Sequence, residues 1–300
     1  MGKEYAKVLK AMSLNFHAVS RSQESANKFK AETGLPAVSG GIREWLKNNK
    51  HPQTAIVAVT EDQLGIATRD LINAGCKKIL VEKPGGLDIK DIKEVAKLAR
   101  KKGSKVFVGY NRRFYASTIK VREIIKEEGI LSFNFDFTER SYIVEGLTQS
   151  DKIKREWFIQ NSSHVIDLAF FLGGWPKKIY SLKAGKLKWH PQGSIYAGTG
   201  VTDKKAIFAY HANWESAGRW SVEIMTKRSK LIFRPLEKLQ IQKYGSMTIE
   251  DMIIDDKVDI DFKPGLYKQV RSFLADKKYL PTIEEQVSHL KYYEQIQKTI

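Results

Sequence analysis

The sequence predicts an α/β chain of two domains. Residues 1–113 read as a doubly wound parallel sheet, and residues 114–300 as an α+β domain on a large open, mostly antiparallel sheet. Three observations carry this. Up to about residue 113, short apolar strands alternate with segments of helical period, the pattern of a parallel sheet with helices on both faces. Past residue 128 the period changes to two: Phe133, Phe135 and Phe137 alternate with Ser132, Asn134 and Asp136, as in a sheet with one wet face. Three hundred residues are enough for two such domains, each with its own core.

Taken in order, residues 2–12 are helical, with Tyr5, Val8, Leu9 and Met12 at i, i+3, i+4 and i+7. Residues 16–20 form a strand, and residues 23–33 a helix stopped at Gly34-Leu35-Pro36. A helix over 42–50 precedes Ala55-Ile56-Val57-Ala58-Val59, a continuous apolar run expected of a strand buried on both faces. The helix over 64–74 stops at Gly75, the strand over 78–81 follows, and the helix over 89–102 stops at Gly103 before the strand over 105–109. In the second half, alternating stretches at 178–189, 194–201, 206–214, 220–226, 230–234, 239–244 and 247–254 are separated by turn residues. Helices are expected near 163–172, 265–275 and 284–298.

Composition narrows the function classes. With 42% hydrophobic and 28% charged residues the chain is ordinary globular material. No apolar run approaches the ~20 residues of a membrane span, and the stretch at 165–174 is interrupted by Asp167. The N-terminus has no apolar signal region, and Cys76 is the sole cysteine, so no internal disulfide forms; the cytoplasm is the expected compartment. Fifty-one basic against 34 acidic residues give a net charge of +17, which favours anionic partners such as phosphate-bearing cofactors or acidic sugars, or is lysine spread over a solvated surface. No zinc-finger spacing or RNA-binding signature is present, so no specific nucleic-acid partner is expected.

Two segments carry chemistry together. The strand Ile79-Leu80-Val81 runs into Glu82-Lys83-Pro84-Gly85-Gly86, placing a lysine at the carboxyl end of a parallel strand, where open α/β sheets hold their ligands. A desolvated lysine there is a candidate proton donor, although the tripeptide alone also reads as a surface turn. The strand Val106-Phe107-Val108 likewise runs into Gly109-Tyr110-Asn111-Arg112-Arg113-Phe114. At this separation the two segments resemble the E-K-P and G-x-N-R-R-F motifs of the glucose–fructose oxidoreductase / inositol dehydrogenase (Gfo/Idh/MocA) family, and the likeness extends from Gly2 to the C-terminus. The resemblance implies a Rossmann-like cofactor domain followed by an open-sheet domain. It also implies Lys83 as the catalytic lysine beside a nicotinamide, Glu82 and Pro84 in the turn against the cofactor, with Pro84 a candidate cis residue, and Asn111 and Arg113 where cofactor meets substrate.

A third segment, Gln160-Asn161-Ser162-Ser163-His164-Val165-Ile166-Asp167, opens an apolar helix that either serine can cap. His164 and Asp167 lie one turn apart, so the carboxylate can orient the imidazole; a histidine packed in an amphipathic helix is the alternative. The family resemblance favours His164 as general acid/base, with Asp167 on the substrate side. Many family members carry aspartate where this chain has Gln160, an amide that binds a hydroxyl but exchanges no proton at neutral pH. Lys83 and His164 remain the proton-transfer candidates.

A dinucleotide-binding fold opens with a strand and a G-x-G-x-x-G turn. Here Gly2 resembles the third glycine of that turn, and the strand and earlier glycines do not precede it. A start assigned too late or a truncated chain is the expected explanation, a natural short form with lost cofactor affinity the rival. Ser20-Arg21-Ser22 ends the next strand with no acidic residue, which leans the NAD(P) preference toward NADP. Thr60 is a further candidate cofactor contact, with an ordinary turn hydroxyl as the alternative, and Gly65 stands where the family often has a histidine. Arg113, Arg155 and Trp157 are candidate substrate contacts, the arginines for an acidic or phosphorylated group and the indole for a sugar ring, with structural roles equally open. The expected function is therefore NAD(P)-dependent hydride transfer to or from a sugar or sugar-derived alcohol or ketone, in a homodimer or homotetramer formed through the C-terminal sheet. A catalytically retired binding or scaffold subunit is the alternative.

Overall fold

The computed structural model describes residues 1–276 and 278–298, and these divide into two compact units. The first comprises Met1–Asn111 and Val258–Ser288, the second Arg112–Lys257 and His289–Ile300. The sequence reading placed one boundary after residue 113; in the structure the chain leaves the first unit after Asn111 and returns to it at Val258.

The first unit carries α1 (Gly2–Ala11), β1 (Ala18–Val19), α2 (Gln23–Thr33), β2 (Ala37–Val38), α3 (Gly41–Asn48), β3 (Thr54–Val57), α4 (Leu64–Asn73), β4 (Lys78–Glu82), α5 (Ile89–Lys102) and β5 (Lys105–Gly109). Local chemistry sets the helix ends. Ser22 and Ser25 form a reciprocal capping box at the start of α2, and Gly34 closes it in the left-handed region at φ 70°. Asp88 caps α5 by accepting from the Asp91 amide at 2.8 Å, and Lys101 and Lys102 sit at its negative end.

The strands form two parallel sheets rather than one: β1 pairs with β2, and β4 lies between β3 and β5. Ile79, Leu80 and Val81 are fully buried, as a central strand requires. β3 pairs with β4 alone, so the run at 55–59 is not buried on both faces as expected: only Val57 is buried, and Val59 is 46% exposed. The returning segment adds α10 (Lys257–Asp261), α11 (Leu266–Leu274) and the start of α12 (Ile283–Ile296). It packs on β5, where the Val108 amide donates to Pro281 O at 2.9 Å, Phe107 bridges Thr282, and Gln286 Nε2 donates to the Tyr110 hydroxyl at 3.0 Å.

The second unit holds α6 (Ala116–Glu128), β6 (Ser132–Asp136), α7 (Ser141–Glu145), α8 (Asp151–Arg155), α9 (Ser163–Gly173), β7 (Pro176–Ala184), β8 (Ile195–Thr202), β9 (Ile207–Asn213), β10 (Ser221–Met225), β11 (Ser229–Phe233), β12 (Gln240–Lys243) and β13 (Ile249–Asp251). All eight strands form one sheet in the order β13-β12-β11-β10-β6-β9-β8-β7, antiparallel throughout except for the β6–β9 pair. The period-two phenylalanines of β6 point inward, and Phe170 of the buried helix α9 meets Phe133, Phe135 and Phe208 edge-on, with ring centroids 5.3–6.2 Å apart.

His289, in the later part of α12, stacks on Trp175 with centroids 3.4 Å apart. Burial, with like charge from Arg113 and Lys291, pushes its imidazole from 6.5 down to about 3. The folded chain thus excludes a proton that the unfolded chain takes up. The stability tied to the neutral ring is full above the unfolded pKa of 6.5 and is lost as pH falls toward 3. His289→Phe keeps the stack without the titration. Between about pH 7 and about pH 5 it is expected to spare about 2 kcal/mol of the stability the native chain loses, read from urea midpoints.

Candidate active site

In the first unit, the sequence around Lys83 folds into a braced turn at the carboxyl end of β4. Glu82 is buried and accepts from the Tyr5 hydroxyl at 2.6 Å, and Tyr5 in turn accepts from Gln269 Nε2 at 3.0 Å. Burial pushes the Glu82 carboxyl up, against the Tyr5 hydrogen bond and the positive charge of Lys83, which pull it down. Lys83 follows, half-buried, and its peptide bond to Pro84 is cis. Beyond the turn, Asp91 accepts from the Leu87 amide at 2.8 Å and pairs with Arg69. The Asp91 carboxylate also explains Gly65, because a Cβ there would overlap it. No larger side chain, histidine included, fits beside this brace unless Asp91 shifts.

The other expected cofactor residues gather at the same ends of the parallel strands. Ser20 follows β1, with its amide on Val38 O at 2.7 Å and its carbonyl on the Gly41 amide at 2.9 Å. Arg21 is exposed beside it, and its charge reaches Asp62. Thr60 is exposed after β3, where its carbonyl caps a short 3₁₀ turn. Gly2 opens α1, and a Cβ built on it would lie 3.9 Å from Ala58 O. Asn111 is buried after β5 and donates to Pro264 O at 3.0 Å. A glycine at a helix start and polar residues at strand ends fit a dinucleotide: the first admits a close-lying pyrophosphate, the second can hold ribose and nicotinamide.

In the second unit, Phe158–Ser162 form a π-turn that leads into α9. Neither serine caps the helix as expected. Ser162 donates instead to Glu139 Oε1 at 2.7 Å, and Asn161 donates to Glu139 Oε2 at 2.9 Å. Gln160 and His164 are buried, and the His164 ring centroid lies 6.2 Å from that of Trp220. Asp167, expected on the substrate side, pairs with Arg113. It is 1% exposed, and both its oxygens accept from Arg113, Oδ2 from Nε at 2.8 Å and Oδ1 from Nη2 at 2.5 Å. Burial pushes the Asp167 carboxyl up while Arg113 pulls it down. The guanidinium expected to meet substrate is therefore committed to a buried ion pair, with Phe171 against its face.

A pocket of about 330 Å³ opens within the second unit. Of the three expected substrate contacts, Trp157 lines it, its indole N–H buried without a partner among the described residues. Arg113 and Arg155 do not; Arg155 is exposed on α8. The wall instead carries Arg112, Arg140, Arg219 and Trp220, which sequence reasoning missed. The only signal for them was their company: Arg112 adjoins the chosen Arg113, and Arg219 adjoins Trp220. Among the described residues no cluster of histidine, cysteine and carboxylates could hold a metal ion, and no helix is long and apolar enough to cross a membrane.

Residues 1–110 match the profile of the Gfo/Idh/MocA group, described as an oxidoreductase family with an NAD-binding Rossmann fold. This stretch resembles the cofactor domain of that family. The matched stretch, which contains Lys83, is thus an NAD-binding Rossmann fold of an oxidoreductase family and makes up most of the first unit. Among solved structures the chain is similar to an NAD-binding oxidoreductase from Klebsiella pneumoniae, at 15% identity and TM-score 0.77 over 99% of this chain and 91% of that one. It is also similar to UDP-N-acetylglucosamine 3-dehydrogenase from Acidithiobacillus ferrooxidans, at 12% identity and TM-score 0.73 over 98% and 92%. A third is an inositol dehydrogenase homologue from Azotobacter vinelandii complexed with NADH and myo-inositol, at 14% identity and TM-score 0.71 over 95% and 87%. At these identities the structures establish a shared fold over nearly the whole chain. No curated protein sequence matches.

Proposed function

We propose that this chain transfers a hydride between an NAD(P) nicotinamide and a sugar or sugar-derived alcohol or ketone. The observation that carries the reading is Lys83, half-buried in a braced turn at the carboxyl end of a strand in an NAD-binding domain. When bound, the dinucleotide supplies the hydride donor or acceptor. Lys83 gives a proton to the substrate oxygen as its ammonium, or takes one from it as its amine. His164 is the second proton-transfer group, and Gln160 is a hydroxyl-binding amide. Glu82 is a positioning residue for Lys83, held by Tyr5 and Gln269. At the adenosine end, Arg21 without a neighbouring acid on its turn suits a 2′-phosphate, so NADP is the preferred cofactor.

The test is a fluorescence titration with NADPH and NADH. NADPH is expected to bind the more tightly, and Arg21→Ala to reduce that preference. Equal failure of both cofactors would sink the oxidoreductase reading and favour a retired scaffold.

The substrate domain is also proposed to pair with a second copy through the outer face of its sheet. In register on that face are Tyr180 opposite Thr199, Leu182 opposite Ala197, and Val201 opposite Ile207. Tyr180, Leu182 and Ile207 are 67%, 59% and 62% exposed, an apolar patch that a symmetric copy would cover. Light scattering is expected to give a dimer or tetramer, and Leu182→Lys together with Tyr180→Glu to give a monomer with an unchanged melting profile. A monomeric native chain would remove the proposal.

A further inference from the structure

We propose that the pocket of the second unit selects an anionic ring substrate, a sugar bearing a carboxylate or phosphate. Arg112, Arg140 and Arg219 would bind the anion, with Trp157 and Trp220 against the ring. This deepens the oxidoreductase reading by naming the substrate class, and it rests on that reading.

Glu139 and Glu237 also line the pocket, so the simplest arrangement would be arginine–carboxylate pairs. None forms. Glu139 accepts from Asn161 and Ser162, and Glu237 from the Tyr115 hydroxyl at 3.4 Å. Elsewhere the chain does pair its arginines: Arg43 with Asp70, Arg69 with Asp91, Arg113 with Asp167, Arg228 with Glu128. Arg112, Arg140 and Arg219 have no carboxylate partner among the described residues.

Arg112 is the most telling of the three. Its guanidinium carbon lies 5.0 Å from the centre of the Trp220 ring and 6.0 Å from that of Tyr115, and its Nε is buried without a hydrogen bond. A guanidinium held by its face leaves its edge donors free for a carboxylate or phosphate in the two-pronged geometry that such anions favour. Left unanswered, buried donors are costly; an anionic ligand would satisfy them.

The remaining features suit a ring. Trp157 brings a second unpartnered buried N–H to the same wall. The volume of about 330 Å³ is that of a small-molecule site rather than a surface for a polymer. Trp220 touches both ends of the argument, stacking on Arg112 and lying 6.2 Å from the ring of His164, so an anion held here keeps its ring near the proposed proton-transfer group.

The experiment is a tryptophan-fluorescence titration of the full chain with D-glucuronate, D-galacturonate, glucose 6-phosphate, the parent neutral hexoses and inorganic phosphate. At least one charged sugar is expected to bind about 10-fold or more tightly than its neutral parent, and to weaken as salt is raised. Which arm wins, uronate or sugar phosphate, identifies the anion. Arg140→Ala and Arg219→Ala, both at exposed positions, are each expected to weaken that binding about 10-fold while leaving the melting temperature unmoved. Arg112→Lys keeps the charge but loses the stacked fork, and should weaken it as well.

The inference is overturned if no charged sugar beats its neutral parent, if the arginine variants bind unchanged, or if inorganic phosphate binds as tightly as the sugar phosphate. NADPH titrated into the same samples separates the two readings. Cofactor binding without anion preference removes only this inference, and anion preference without cofactor binding removes only the oxidoreductase reading.

Discussion

Lys83→Ala is expected to lower turnover about 10²- to 10⁴-fold while NADPH binding and the thermal melt stay close to native. The size follows from the role: an alanine leaves the substrate oxygen to exchange its proton with His164 or water, without the positioned lysine. The fold should survive, because the turn is braced by Asp91 on the Leu87 amide and by Glu82 on Tyr5 rather than by the lysine side chain alone. Lys83→Arg sharpens the test. It keeps the positive charge but holds its proton across the working pH range, so it should restore cofactor and substrate binding without restoring turnover. Turnover that survives either substitution would move the proton-transfer role to His164.

The largest stability effect is expected at Asp167. Removing its carboxylate by Asp167→Ala leaves the Arg113 guanidinium, 6% exposed, without its counter-charge, and costs about 3–5 kcal/mol. Chain-wide unfolding in urea measures it. The double replacement Arg113→Met with Asp167→Leu removes both charges and fills the space with apolar atoms. It is expected to recover most of the loss, because a buried pair is far cheaper to replace than to break. If the double variant is as unstable as the single one, the pair contributes specific geometry that apolar packing cannot replace. The same comparison separates Asp167 from catalysis. A folded double variant that still turns over would show that the carboxylate supports α9 and not the proton chemistry.

How much was legible depended on whether partners lie close in sequence. Lys83 could be read because a strand, a turn and a helix follow one another without interruption from residue 78 to residue 102. The sheet of the second unit was legible from the period of Phe133, Phe135 and Phe137, which the pleat imposes on any half-buried strand. The Asp167–Arg113 pair was not legible because the nearest candidate partner of Asp167 in the chain is His164, one helical turn away, whereas Arg113 is 54 residues distant. Ser162 failed as a cap for a similar reason: Glu139, 23 residues upstream, takes its hydroxyl, and a π-turn replaces the plain helix start. The helices at 116–128, 141–145 and 151–155 were not expected, and the last two help to carry the pocket wall and the residues beside it. The wall itself draws on five separate stretches of sequence, so no single window could reveal it. The edge position of β3 was missed because an apolar run says what a strand can bury, not how many neighbours it has.

The return of residues 258–288 to the first unit bears on how this protein is made. Synthesis normally lets an N-terminal domain close before the rest has emerged. Here Gln269, which holds the Tyr5–Glu82 pair, and Pro281 and Thr282, which cover the edge of β5, are translated more than 150 residues after the strands they complete. The nascent cofactor-binding domain must therefore wait, with that edge uncovered, while residues 112–257 leave the ribosome. A nascent chain stalled before Val258 should carry a protease-sensitive first half, and the domain that begins first in the gene is the one that closes last.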